Sequence, residues 1–341
     1  MTRKLRLSVY LCVLLFFPAS LLIAGENDQD TDISAPFSLG YRQENDGPWV
    51  NPVNGTDRYY THGVAMSVTH QPEWGRELAE LLPFGRNSTR SGVGYLFAHE
   101  MYTPENLSES EPIADDRPYA GYAYLGVAHY RAGPATLEHL RIDVGAVGPA
   151  TQAEEIQTYA HENWGGREPR GWSNQLANRP TVQLSFERRW RLQAGGRFAV
   201  QLLPQLVAGL GTLRSEARLG SSLRLGFNLP VDFGPSRFGS PREATALPQP
   251  GLGIFGIAGA AGRAVGHDAL FSGGESDTGP GRRVEHVVGE LSVGGGAVLR
   301  VHSWSLEAHY AQVLVSPEFR GQEGRHRYGS AFFAIAGPHP E

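Results

Sequence analysis

The sequence predicts an all-β chain: an antiparallel transmembrane β-barrel of about twelve strands, of the bacterial outer-membrane kind, with short helices in its loops. Three observations carry that expectation. Segments of about ten residues alternate apolar and polar side chains along the chain, which is the trace a barrel strand leaves. Their number is even, as in bacterial outer-membrane barrels. Past the N-terminal region no run of roughly eighteen apolar residues occurs, so no later segment reads as a membrane-spanning helix.

The first residues set the compartment. Arg3, Lys4 and Arg6 precede an apolar run over 7–23, broken by Pro18, and Ala24-Gly25 then meets an acidic stretch over 26–32. That order predicts a secretory signal peptide over 1–24 and a single barrel domain over 25–341. The alternative is an uncleaved anchor, for which the run is short. The only cysteine is Cys12, inside the leader, so the mature chain holds neither disulfides nor thiolate metal sites. A net charge of −5 is too mild for a nucleic-acid partner. High Gly (43) and a 10% aromatic share suit an all-β chain.

Twelve strand segments are expected near 36–43, 60–70, 92–101, 120–130, 137–147, 180–192, 197–212, 217–229, 252–262, 284–297, 302–314 and 326–336. In "LRLGFNL" (223–229), Leu223, Leu225, Phe227 and Leu229 share one face, and Arg224, Gly226 and Asn228 the other. "VQLSFERRW" (182–190), "LRIDVGAVG" (140–148) and "LEAHYAQVL" (306–314) behave alike. Alternation alone does not separate a membrane barrel, apolar side outward, from a soluble sandwich, apolar side inward. With a periplasmic N-terminus, 44–59, 102–119 and 148–179 become outer loops, and 131–136 and 193–196 short inner turns. Two long connections, 71–91 and 230–251, fall on the inner side against this rule. The first contains "ELAELLPF", a short helix; the second admits a missed strand.

The three outer loops gather reactive groups. The first carries Glu44, Asn45, Asp46, Asp57, Thr61 and His62, and the second Asp115, Asp116 and Arg117. In the third, Thr151 and Glu154 form a capping-box pattern that predicts a helix start, and Gly165-Gly166 a stop. His161 falls in its last turn, sharing a face with Gln157 and Glu154, while Ile156, Tyr159 and Ala160 form an apolar side. A histidine suits general-base work, and clustered oxygens suit a hard cation such as Ca²⁺. The plainer readings are a histidine serving the helix dipole and acidic turns that are only solvated. Tyr59, Tyr60, Tyr119, Tyr122 and Tyr124 read most simply as interfacial girdle residues.

"END" (44–46), "TDRYYTHG" (56–63), "HEMYTP" (99–104), "DDRPYAGYAYLG" (115–126), "GAVGP" (145–149) and the spacing from His161 to "GWSNQL" (171–176) together resemble the lipid A 3′-O-deacylases of LpxR type. The likeness spans about 36–180; beyond it the chain matches only as barrel strands. It implies a monomeric twelve-stranded barrel with its site toward the outer leaflet, and a Ca²⁺-dependent hydrolase of lipopolysaccharide. It further implies His161 as general base, Asn45 and Asp46 holding the ion and site geometry with Glu168 as a further ligand, and Thr61 as a supporting hydroxyl. Arg117 and Tyr60 are the implied substrate contacts. Two departures stand out: Arg167 occupies the place of a family glutamate six residues after the histidine, and 102–119 lacks the expected lysine.

The competing readings are a phospholipase-like esterase, which needs a nucleophile beside the histidine, and a non-enzymatic pore or adhesin. About twelve strands leave little lumen beyond side chains. Ser67 stands six residues along the strand from Thr61, roughly 20 Å away.

Overall fold

Arg224 is fully buried, whereas Leu225 beside it is 50% exposed. The same inversion recurs. Gln183, Glu187 and Arg189 are buried while Val182 and Leu184 are exposed; Asp143 is buried between exposed Ile142 and Val144. A soluble sandwich requires the opposite, so apolar side chains here face lipid and charged ones face a lumen.

In the computed structural model, residues 37–338 are described apart from 49, 53–54, 82–87, 114, 236–237, 244–246 and 272–282. The expected signal peptide over 1–24 lies outside the described residues. The strands are β1 (Phe37–Asn45), β2 (Tyr59–His70), β3 (Arg90–Thr103), β4 (Ala120–Ala132), β5 (Thr136–Val147), β6 (Arg179–Trp190) and β7 (Leu192–Gly195), followed by β8 (Phe198–Gly211), β9 (Arg214–Phe227), β10 (Gly251–Asp268), β11 (Val287–Val301), β12 (Trp304–Val315) and β13 (His326–Gly337). Each pairs antiparallel with its neighbours, β1 pairs with β13, and β6 with β8, so the sheet closes. β6 and β7 are one stave: Arg189 lies opposite Gln205 and Leu192 opposite Leu202, an unbroken register across Arg191. The described barrel therefore has twelve staves, and each expected strand segment falls on one of them. No described helix is long and apolar enough to cross a membrane.

Two helices flank the wall. α1 (Glu73–Leu81) fills the long 71–91 connection, as expected, and the Gly75 carbonyl meets His129 Nε2 at 2.9 Å. α2 (Ala153–Trp164) lies in the β5–β6 loop.

The described residues of the 230–250 connection form no strand. The connection folds back into the lumen, where Arg242 bonds Asp232 (2.6 Å) and Glu307 (2.6 Å), and Arg224 bonds Asp232 (2.6 Å). Thr69 Oγ1 donates to the Arg242 carbonyl at 3.0 Å, and Phe238 packs edge-on against Tyr60. Its many polar groups would suit a solvated loop, but they match the charged lumen wall equally well. This segment and the wall side chains leave, among the described residues, a polar cavity of about 290 Å³. Such a filled interior disfavours the pore reading.

Three residue-level expectations fail. Leu229 is not lipid-facing: it lies just past β9, buried with Leu247 and Phe255. Tyr59, Tyr60, Tyr119, Tyr122 and Tyr124 are buried and form no girdle. Tyr122 and Tyr124 stack at 4.6 Å inside, because exposed Leu125 and Val127 fix the opposite parity of β4 as outward. Thr151 does not cap α2; its hydroxyl donates to the Gly148 carbonyl (2.7 Å) within a 3-10 turn over Pro149–Thr151. The N-cap is Gln152, in the left-handed region, without a side-chain cap bond.

Removing Arg242 would take one of two arginines from buried Asp232 and the arginine from buried Glu307. Breaking a buried pair on one side typically costs about 3–5 kcal/mol. Arg242→Ala should therefore lower the denaturant midpoint of the detergent-folded barrel, read by heat-modifiable gel migration. An unchanged midpoint would show that this lumen network does not bear on stability.

Candidate active site

The site begins with one extra residue. Tyr60 pairs with Tyr102 and His62 with Met101, so Thr61 is a β-bulge residue with no partner opposite. Tyr59, entering the bulge, has φ 65°. A bulge re-aims the side chains around it. Met66 faces outward, and strict alternation would put Tyr60 and His62 on that face too. The bulge instead turns Tyr60 inward, where its hydroxyl donates to Glu44 Oε2 at 3.0 Å. His62 stays outward, Thr61 is buried, and the Thr61 and Thr103 hydroxyls bond at 2.7 Å.

Asn45 lies opposite His62 in the β1–β2 register and, like exposed Leu39 on the same strand parity, faces outward. Its Nδ2 donates to His62 Nδ1 (3.3 Å), and its Oδ1 accepts from Gly47 N–H (2.6 Å). Asp46 next to it is fully buried at the rim. Its Oδ2 accepts from Thr56 Oγ1 (2.6 Å) and Arg58 N–H (2.7 Å), the residues flanking Asp57. Among the described residues its Oδ1 has no hydrogen-bond partner. Burial pushes the Asp46 carboxyl well above the usual carboxylate range, against those two hydrogen bonds.

α2 stands outside the wall, over β3 and β4. Gly121 has the outward parity of β4, and a Cβ there would come 2.6 Å from the Ala153 side chain. His99, outward on β3, meets the Thr151 carbonyl through Nε2 at 3.1 Å. The helix ends at Gly165, φ 88°. Gln157 is buried on the face shared with His161, and Ile156 and Tyr159 on the apolar side are exposed.

That face builds a relay. Trp172, fully buried, donates Nε1–H to Gln157 Oε1 (2.7 Å). Gln157 Nε2 donates to Asp57 Oδ1 (3.4 Å), and Asp57 Oδ2 lies 3.1 Å from His161 Nε2. His161 Nδ1 donates to the Arg167 carbonyl (2.5 Å). The chain can come this close only at Gly166, where a Cβ would fall 2.6 Å from the His161 ring. The hydrogen bond to Asp57 raises the His161 pKa, partial burial opposes it, and the Arg167 carbonyl and the Asp57 and Asp46 charges add to the rise.

The structure thus draws Asn45, Asp46, Thr61 and His161 into one rim neighbourhood, linked through Asp57. Three expected members lie elsewhere. Tyr60 faces the lumen. Arg117 is buried, with its guanidinium 4.3 Å from the Tyr102 ring centroid and 4.5 Å from that of Phe271, and pairs with Glu318 at 3.6 Å. Glu168 is exposed and pairs with Arg170 at 2.8 Å. Among the described residues no group of three His, Cys, Asp or Glu side chains could hold a metal.

The family model of the outer membrane protein LpxR matches residues 9–336. The chain belongs to the LpxR family. The solved structure of LpxR from Salmonella typhimurium is similar with a TM-score of 0.70 at 21% identity, covering 88% of this chain and 99% of that one. The β domain of the Bordetella autotransporter BrkA is more distant, with a TM-score of 0.41 at 10% identity over 90% and 99% of the two chains. No curated protein sequence matches. As an LpxR-family barrel with an apolar exterior, the protein is integral to the outer membrane.

Asp57, Gln157, Trp172 and His62 were not assigned roles from the sequence. Gln157 carried a signal, four residues before His161 on one helix face; Asp57 is separable from other loop carboxylates only once the chain is folded. The Asp57 contact predicts that His161 titrates above the ordinary value of about 6.5, as read by NMR on the detergent-solubilised protein. Asp57→Asn should bring it down. A His161 titration indifferent to Asp57→Asn would show that the pair does not form.

Proposed function

We propose that the protein hydrolyses the ester-linked 3′ acyl chains of lipid A, as a monomer, with His161 as general base. One observation carries this reading. In an LpxR-family chain, a histidine with one nitrogen fixed by a backbone carbonyl stands over the lipid-facing side of the wall, where an acyl lipid can reach it.

The hydrogen bonds define how His161 acts. The Arg167 carbonyl only accepts, so Nδ1 carries a proton and Nε2 is the basic nitrogen. When the ring is protonated, Nε2 donates to Asp57 Oδ2 at 3.1 Å. Loss of that proton frees Nε2 to take one from water while water oxygen attacks the ester carbonyl carbon. When the tetrahedral intermediate collapses, the acyl C–O bond breaks and the proton passes from Nε2 to the departing sugar oxygen, giving a fatty acid and a sugar hydroxyl. Water is favoured over Thr61 as nucleophile, because Thr61 is buried and its hydroxyl bonds Thr103 rather than the base. The departure at 167 is then no obstacle, since residue 167 acts through its backbone.

Ca²⁺ is proposed for this cleft on the Asp46 carboxylate, whose buried Oδ1 lacks a partner among the described residues. As placed, Asn45 Oδ1 is taken by Gly47 and Glu168 by Arg170, so neither supports the ion. Bound there, a hard cation would offset negative charge developing on the ester oxygen.

His161→Ala should lower turnover about 10²–10⁴-fold while the barrel still folds, measured by mass spectrometry of lipid A after expression. Near-normal deacylation by the folded variant would remove His161 from the mechanism. The acidic limb of the activity profile should lie above pH ~6.5, since a raised pKa keeps the base protonated to higher pH. Exhaustive chelation should abolish activity and added Ca²⁺ restore it; full activity in the chelator would sink the calcium proposal. Release of phospholipid acyl chains with lipid A intact would instead mark a phospholipase-like esterase.

A further inference from the structure

We propose that His62 is a further substrate-contacting residue: its Nε2–H donates a hydrogen bond to the carbonyl oxygen of the ester, and Asn45 is the positioning residue that keeps the proton on that nitrogen. This rests on the hydrolase reading above.

The tautomer follows from the donor inventory. The Asn45 side chain is oriented by Gly47, whose N–H donates to Oδ1. Nδ2 is therefore the atom facing His62 Nδ1, and an amide nitrogen only donates. Nδ1 must accept, so the ring hydrogen sits on Nε2. That nitrogen has no hydrogen-bond partner among the described residues, and it is not among the buried polar atoms left unsatisfied. A half-buried imidazole thus offers one committed donor to whatever enters the cleft.

Its placement suits an ester. His62 is outward-facing, and four residues along the same face Met66 is 54% exposed, roughly 13 Å down the wall. Phe97 on β3 pairs with Met66 and is also exposed. An acyl chain lying along this apolar strip brings its ester to the height of His62. At that same rim Asp46 is hydrogen-bonded to the residues either side of Asp57, and Asp57 holds His161. A pre-aimed donor in a site poor in water is worth most on the oxygen where negative charge develops.

Three variants and one spectrum test this. His62→Ala should lower kcat about 10²–10³-fold, as loss of an oxyanion donor does, with KM little changed. His62→Gln, whose amide N–H reaches near the former Nε2 position, should restore part of that loss. Asn45→Asp should be as slow as His62→Ala, because a carboxylate accepts from Nδ1–H and so strips the proton from Nε2. If Asn45 served as a cation ligand instead, the added carboxylate would preserve or strengthen Ca²⁺ activation. In histidine-¹⁵N-labelled protein, the signal removed by His62→Ala should show a protonated Nε2 in the wild type and a protonated Nδ1 in Asn45→Asp. Normal kcat in folded His62→Ala, or a protonated Nδ1 in the wild type, would overturn the proposal. Wild-type protein that leaves lipid A intact would overturn the hydrolase reading, and the substrate contact with it, whatever the tautomer spectrum shows.

Discussion

Closure of the hydrogen-bond ladder is the constraint on which the rest depends. In hydrocarbon an unpaired backbone N–H or C=O has no water to turn to, so a sheet can sit in a membrane only without edges. Here β1 closes on β13 and β6 on β8, and the short β7 matters because it continues the β6 ladder against β8. Once the ring is closed, side-chain parity decides everything radial. One set meets lipid and the other meets a lumen largely filled by side chains and the 230–251 segment, where charges such as Arg224, Arg242, Asp232 and Glu307 pair with one another. The lumen-filling 230–251 segment is part of that solution: it supplies Asp232 and Arg242 to a wall already carrying Arg224 and Glu307.

Closure also explains where chemistry can sit. A filled lumen leaves the outer face and the loop rim as the places a lipid can reach. The Thr61 bulge reconciles the two parities there, putting Tyr60 inside and His62 outside within three residues. α2 then comes to the wall from outside, seated where Gly121 leaves room for Ala153.

The barrel was legible because period-2 alternation survives in every stave, and all twelve expected segments lie on strands. What alternation cannot carry is a one-residue shift. Tyr60 was expected at the substrate from the family resemblance, and nothing in the sequence announces the bulge that turns it inward. Arg117 was expected there from the same resemblance, yet it lies buried in cation–π contacts with Tyr102 and Phe271. The 230–251 segment looked anomalous because a polar lumen and water select the same residue types. In the site, Asn45, Asp46, Thr61 and His161 were reachable through motif and loop position. Asp57 and Gln157 act through hydrogen bonds that exist only after the first and third loops meet.

Arg167 shows why side-chain identity is an incomplete guide to such a site. Its contribution is a carbonyl oxygen, delivered because Gly165 and Gly166 reverse the chain directly after α2 and leave no Cβ between residue 166 and the imidazole. A carbonyl cannot titrate, and it fixes the His161 tautomer whatever side chain position 167 bears. The charge that does matter to the base comes from Asp57, held in turn by Gln157 and, behind it, Trp172. In the proposed mechanism His161 is thereby divided between two functions: Nδ1 belongs to the scaffold and Nε2 to the chemistry. In that mechanism Asp57 must yield Nε2 for the base to act, so the Asp57–His161 contact marks the point at which substrate and water would enter.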